Sequence, residues 1–358
     1  MAGAGALGVL ALAAAGCANP GPPRAPSLRL PAPVRGLTAE RVGDHVTLRF
    51  AVSQRTTDNL PVREAELRLK VCRAAEHGPC EPVGGAPELV PVKTTAGTAN
   101  QVTVDDALPV GLTIGPPRLL AYTVELSNAR GRTAGPSDAA YAVSGASPGP
   151  VSGLRVQGSR LGALLSWDAA PPDSGTLYVR RQGGAKDQGR TKQGGVLLRF
   201  DPANTARGQR LLDTGAEEDV AYRYSAFRER RITLGGRTLT LRSAESAPVA
   251  FTLRDVFPPP APTELSAAPS VPDPDAPGRA YSVDLVWQPV EDPELSGYNV
   301  YREPLAGGAR EKLNREPVGL PGFHDATAQP GVGYRWTVTA VDHKGNESAG
   351  ATVTTGAH

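Results

Sequence analysis

Amphipathic helix is what this sequence most lacks: no window of a dozen residues repeats its apolar side chains at a 3.6-residue period. An excess of charge is missing too, since 38 Lys and Arg face 36 Asp and Glu for a formal +2. A duplex-binding protein needs a concentrated basic surplus to meet phosphates, so nucleic acid is excluded as a partner. Aromatic residues are few, 6 Phe, 3 Trp and 9 Tyr, which argues against a surface that stacks sugars. The five histidines, at 45, 77, 324, 343 and 358, are scattered, and no His-supported nucleophile is expected. The longest uncharged apolar stretch, residues 2–16, is too short to cross about 30 Å of hydrocarbon as a helix. What the chain does have is 41 Gly and 35 Pro, which is high for a helical protein but below the level of a disordered one. The balance predicts short strands joined by many turns. At roughly 100–150 residues per domain, 358 residues make two to four domains.

The apolar stretch ends Leu12-Ala13-Ala14-Ala15-Gly16-Cys17, which has the length and small-residue ending of an export signal. Small residues before a cysteine resemble the lipobox of bacterial lipoproteins. That resemblance implies a signal peptide over 1–16, lipidation of Cys17, and attachment to a membrane through that lipid, with Ala18 favouring the outer membrane. Residues 17–32 carry five prolines and predict an extended tether.

The remainder repeats. Pro33-Val34-Arg35-Gly36-Leu37 returns as Pro150-Val151-Ser152-Gly153-Leu154 and, more loosely, as Pro262-Thr263-Glu264-Leu265, so that Leu37, Leu154 and Leu265 lie 117 and 111 residues apart. That spacing is the size of one β-sandwich. Phe50, Trp167 and Trp287 follow in turn. Strands alternate: Val46, Leu48 and Phe50 share one face, as do Leu285 and Trp287. Each repeat later offers a strand opening near a tyrosine, Tyr122, Tyr222 or Tyr334. In the last repeat, Trp287, then Tyr298-Asn299-Val300-Tyr301-Arg302, then Tyr334-Arg335-Trp336 and Gly345-Asn346 resemble a fibronectin type III domain.

The resemblance implies an all-β chain of three tandem immunoglobulin-like sandwiches at 33–145, 148–254 and 256–355. It also implies a core built on Phe50, Tyr122, Trp167, Tyr222, Trp287, Tyr298 and Tyr334. The second repeat matches through Trp167, Tyr178 and Tyr222, and the strand-opening tyrosine is expected to act as a corner, its hydroxyl bonded to a neighbouring backbone group. On a tether, three such sandwiches predict a rod on the order of 100 Å.

Cys72 and Cys80 flank a Gly78-Pro79 turn signal, and in an exported protein they are expected to form a disulfide. His77 between them raises a metal alternative, but zinc wants four ligands and no fourth is near in sequence. Glu217-Glu218-Asp219 and Glu291-Asp292-Pro293-Glu294 read as solvated loops, and Asp273-Pro274-Asp275 lacks the alternating oxygens of a calcium loop.

Arg228, Arg230, Arg231, Arg237 and Arg242 surround the Leu234-Gly235-Gly236 turn signal. They form either a basic hairpin that meets an anionic glycan or acidic protein face, or a solvated hairpin whose arginines guard its edges. The expectation is a non-catalytic cell-envelope lipoprotein that works as a protein-interaction, adhesion or spacer rod. Its partner is an envelope protein or a surface glycan, and it uses no cofactor or metal. A carbohydrate-binding accessory module is the second reading.

Overall fold

The structure is a computed structural model that describes residues 28–63, 65–75, 78–84, 86–92, 100–171, 174–184, 195–200, 209–270 and 281–356. Cys17, most of the tether, His77 and Asp273-Pro274-Asp275 lie outside these residues. The described chain is all-β apart from one short helical turn. It divides into two compact units, one of the residues up to Pro148 with Arg230–Arg242, the other of Gly149–Glu229 and the residues from Ser243.

The first unit contains β1 (Arg35–Val42), β2 (His45–Val52), β3 (Glu66–Ala75), β4 (Glu81–Pro82), β5 (Leu89–Pro91), β6 (Asn100–Ala107), α1 (Val110–Thr113), β7 (Leu119–Ser127), β8 (Thr133–Pro136) and β9 (Ala140–Val143). The β1, β2 and β6 strands form one sheet; β3 and β7 form the centre of the other, with β4 and β5 on β3 and β8 and β9 on β7. Alternation drives the packing. In β2 the apolar residues Val46, Leu48, Phe50 and Val52 are buried while the intervening side chains are not, and they meet Leu67, Leu69 and Val71 of β3 and Leu120, Tyr122 and Val124 of β7 in one core.

The second unit holds two sandwiches. One is built from β10 (Arg155–Ser159), β11 (Gly162–Ser166), β12 (Thr176–Gly183), β13 (Val196–Phe200), β14 (Arg210–Asp213), the first part of β15 (Ala221–Leu234) and, after β16 (Arg237–Arg242), β17 (Val249–Thr252). Here β10-β11-β14 packs on β13-β12-β15, to which β17 adds, around Trp167, Leu177, Val179, Tyr222 and Tyr224. The long β15 and its partner β16 extend beyond the sandwich as a hairpin. Gly235 and Gly236 at its tip have φ of +53° and +72°, the left-handed pair a tight twisted turn requires. Residues 230–242 of this hairpin fold with the first unit, where β16 runs parallel to β1 in the register Arg41 to Leu241 and Val42 to Arg242.

The last sandwich comprises β18 (Thr263–Pro269), β19 (Val283–Gln288), β20 (Leu295–Pro304), β21 (Glu311–Lys312), β22 (Gly322–Asp325), β23 (Tyr334–Asp342) and β24 (Ala351–Thr355). Its three-stranded sheet β18-β19-β22 faces the four-stranded β21-β20-β23-β24 over Trp287, Tyr298, Val300, Tyr334 and Trp336.

The repeated start of each sandwich has a backbone cause. Gly36, Gly153 and Glu264 occupy the same place in the repeat and all take a left-handed φ, of +69°, +62° and +53°. In the first and third repeats the strand register slips at that residue, the mark of a bulge. Glycine is the residue that adopts this conformation without steric cost, and Glu264 is the exception. A second shared device closes each sandwich. The N–H groups of Val124, Ala226 and Ala340 each donate to a serine hydroxyl, of Ser137, Ser246 and Ser348, at 2.9–3.0 Å.

Candidate functional site

Each sandwich carries a buried ion pair that joins its two sheets. Arg73 on β3 donates through Nη1 to both oxygens of Asp106 on β6 at 2.9 Å, and Tyr122 on β7 donates to the same carboxylate at 2.7 Å. Arg181 on β12 repeats the contact with Asp213 on β14 at 3.0 and 2.9 Å, joined by the Tyr224 hydroxyl at 2.8 Å. Arg302 on β20 reaches Asp325 on β22 at 2.8 Å, and the Trp336 indole N–H lies 3.4 Å from it. In the outer repeats the guanidinium also takes a surface glutamate, Glu81 at 3.0 Å and Glu311 at 3.1 Å. Burial and the adjacent carboxylates push the Tyr122 and Tyr224 hydroxyls well above the ordinary phenol range. Both therefore stay protonated donors.

These braces change the alignment of the repeats. The strand motif is Leu69-Lys70-Val71-Cys72-Arg73, Leu177-Tyr178-Val179-Arg180-Arg181 and Tyr298-Asn299-Val300-Tyr301-Arg302, so Leu177 takes the core position of Tyr298. Tyr178 lies on the opposite face, stacked on Phe227 at 5.4 Å. Tyr122 corresponds to Tyr224 and Trp336, and Leu120 is its repeat's match to Tyr222 and Tyr334. Tyr122 is therefore a brace residue, not a corner. The corner bond exists at Tyr222, whose hydroxyl accepts the Glu217 N–H at 3.1 Å, and Tyr298 accepts the Val290 N–H at 2.7 Å. Tyr334 contributes its ring, packed on Trp336 at 5.3 Å and under the Arg302 guanidinium. Phe50, Trp167 and Trp287 are buried in their cores.

The five hairpin arginines are engaged within the protein. Arg228 is buried and donates to the carbonyls of Gly149 and Pro150 at 3.2 and 2.9 Å, and burial lowers its pKa although the guanidinium stays charged. Arg230 donates to the Ala146 carbonyl at 2.9 Å, Arg242 pairs with Glu40 at 3.0 Å, and Arg237 lies over the Tyr141 ring at 4.1 Å. Arg231 also has a partner. These contacts lie within the protein, whereas the sequence had left open a ribbon for an anionic partner and a solvated hairpin; composition showed the charge but not the neighbour it would meet.

Cys72 and Cys80 form a disulfide with Cα atoms 5.4 Å apart, within the usual span of such a bridge. Among the described residues no His, Cys, Asp and Glu cluster is arranged to hold a metal. Gly145-Ala146-Ser147-Pro148-Gly149 matches the letters of a hydrolase nucleophile elbow. It leads from β9 into irregular chain, without the strand-to-helix turn that exposes such a serine.

One open groove of about 510 Å³ lies on the β21-β20-β23-β24 face, lined by Tyr301, Arg310, Thr337, Thr339, Glu347 and Thr352 among others. Glu347 is the acidic residue of its lining. Its Oε1 accepts from Tyr301 at 2.7 Å and Asn299 at 3.3 Å, and also from the Thr339 hydroxyl. Burial opposes ionisation of Glu347, but those bonds and nearby Lys312 outweigh it and hold its carboxyl below the usual range. The Arg310 guanidinium stands 3.9 Å over the Tyr301 ring. Gly350 forms part of the wall; a Cβ there would collide with the Thr337 methyl. The sequence held no signal for this groove because its residues come from four separate segments.

No family model matches the chain. Curated relatives are amylopullulanases, at 38% identity over 66 residues in Thermoanaerobacterium saccharolyticum and 39% over 67 residues in Thermoanaerobacter thermohydrosulfuricus. These matches cover 18% and 19% of this chain and only 5% and 4% of the relatives. Among solved structures, the FN1–FN3 domains of chicken CNTN1 align over 91% of this chain and 98% of theirs, at 14% identity and a TM-score of 0.25. A two-domain fibronectin type III segment of chicken tenascin aligns over 57% and 98%, at 15% identity and a TM-score of 0.33. The solved neighbours are thus tandem fibronectin type III domains, while the all-β sandwich assignment itself rests on the strand pairing and the three cores.

Proposed function

We propose that this protein is an exported, non-catalytic cell-envelope lipoprotein, anchored through Cys17, whose sandwiches space and present a protein-interaction surface. The observation that carries this reading is the junction of the second and third sandwiches, which the sequence read as solvated loops. Arg160 pairs with Asp292 at 2.6 Å and donates to the Phe257 and Pro258 carbonyls. Lys344 pairs with Glu218 at 3.0 Å, and the Asn346 side chain donates to the Asp255 carbonyl at 3.3 Å. Ion pairs exposed to solvent contribute little stability singly, so a set of them across one junction serves orientation. A fixed junction suits a spacer, and a binding cleft that must open and close has no use for one.

Cross-linking in intact envelopes of the native host, with adducts identified by mass spectrometry, tests the reading. Adducts concentrated on one or two envelope proteins are expected. Enrichment with glycan alone, or loss of no material from the membrane fraction on Cys17→Ser, overturns it.

A further inference from the structure

We propose that the groove of the third sandwich is a saccharide-binding site, in which two neighbouring sugar hydroxyls are held between Glu347 and Arg310 beside the Tyr301 ring. This goes beyond the spacer reading and stands or falls apart from it.

Three observations carry the proposal. The first is the division of labour on Glu347. All three of its bonds, from Tyr301, Asn299 and Thr339, fall on Oε1, which fixes the carboxylate of this lining residue and leaves Oε2 as its second acceptor. The second is Arg310. Most arginines on this sheet are paired, Arg302 with Asp325 and Arg335 with Glu303, whereas among the described residues Arg310 has only its ring contact with Tyr301. Stacking holds the planar guanidinium in place and leaves its N–H donors unassigned. The third is the lining, in which the threonines Thr337 and Thr352 accompany the single aromatic residue Tyr301.

A ligand matching this set must donate to a carboxylate and accept from a guanidinium with adjacent groups. Sugar hydroxyls do both. A purely anionic ligand meets the negative Glu347, and a cationic one meets Arg310. A protein partner would seek a buried apolar anchor, which this polar lining does not provide. Side chains already held by neighbouring bonds reduce the ordering cost of binding.

Affinity electrophoresis of the full chain in native gels containing dextran, pullulan or galactomannan, with alginate as the anionic comparison, tests the site. The expected result is retardation in at least one neutral polysaccharide. Arg310→Ala and Glu347→Gln each weaken the apparent affinity by about tenfold or more. Arg310 is exposed and touches the fold only through the Tyr301 ring, so its replacement should shift the melting temperature little and separates binding from folding. Absence of retardation in every neutral gel overturns the proposal. So does retardation that survives Arg310→Ala, or a preference for alginate. Protein adducts in the envelope cross-linking experiment neither support nor overturn the groove proposal, which the gels decide.

Discussion

Arg181 and Asp213 meet between the two sheets of the second sandwich, Nη1 lying 3.0 and 2.9 Å from the two carboxylate oxygens, and both side chains are almost completely buried. Two desolvated charges are favourable only together. Replacing Arg181 by Met strands Asp213 in the core and is expected to cost about 3–5 kcal/mol. The double variant Arg181→Met with Asp213→Leu is expected to recover most of that loss, because an apolar pair needs no counter-charge. Urea unfolding of the three proteins checks this. A double variant no more stable than the single one would contradict the brace.

The same geometry fixes a response to base. Tyr122 and Tyr224 donate to buried carboxylates, and their hydroxyls are pushed well above the phenol value of about 10. The unfolded chain therefore loses these protons first as pH rises. Stability is present in full below about pH 10 and falls above it. Absorbance titration should show two tyrosines that ionise only with unfolding, and Tyr122→Phe together with Tyr224→Phe should remove that late step. Each replacement leaves a carboxylate short of a donor and is expected to cost about 1–3 kcal/mol.

Strand alternation was readable from particular residues, Val46, Leu48 and Phe50 above all, because burial on one face follows directly from a period of two. The left-handed start of each repeat was visible as Gly36 and Gly153. The braces were not. Arg73, Arg181 and Arg302 look like surface charges in sequence, and only the crossing of the sheets brings Asp106, Asp213 and Asp325 to them from 33, 32 and 23 residues away. The same limit explains the misplaced corner: Tyr122 opens its strand in the sequence as Tyr222 does, yet its hydroxyl serves a carboxylate that alternation alone cannot locate.

Removing the disulfide should have a modest, local effect. Cys72 and Cys80 are 8 residues apart, and a loop of that length stabilises by about 2.5 kcal/mol in the chain-entropy model. Cys72→Ala with Cys80→Ala should lower the unfolding free energy of the first unit by that amount and leave the transition of the third sandwich where it was. Reduction of the wild type should reproduce the variant's curve.

Arg41 is a buried cation held mainly by carbonyls. It donates to Val143 at 2.6 Å, Gly145 at 2.7 Å and Gly43 at 2.9 Å, tying β1 to the end of β9. Burial lowers its pKa, with Asp44 acting against that, and the guanidinium stays charged. Arg41→Met leaves these carbonyls without their donor and is expected to destabilise the first unit by roughly 3 kcal/mol. Arg41→Lys should do little better, since an ammonium cannot reach three acceptors in a fork. Hydrogen exchange over residues 140–146 should rise in both variants.

The third sandwich should weaken in acid through Asp342. Its Oδ1 accepts the N–H groups of Lys344 and Asn346 at 2.9 and 2.8 Å, and its Oδ2 accepts the Asn346 side chain at 2.8 Å. Burial raises the cost of the charge, but these bonds exceed it and hold the carboxyl below its ordinary range. The unfolded chain then takes up a proton first, near pH 4, so the stabilisation is complete above that value and is lost as pH falls toward the lower native one. Melting temperatures between pH 7 and pH 2.5 should show this acid limb. Asp342→Asn should be less stable at neutral pH and flatter in acid. If the variant keeps the wild-type slope, the acid response belongs to Asp292 at the junction, whose carboxyl is lowered by Arg160 and the Glu294 N–H.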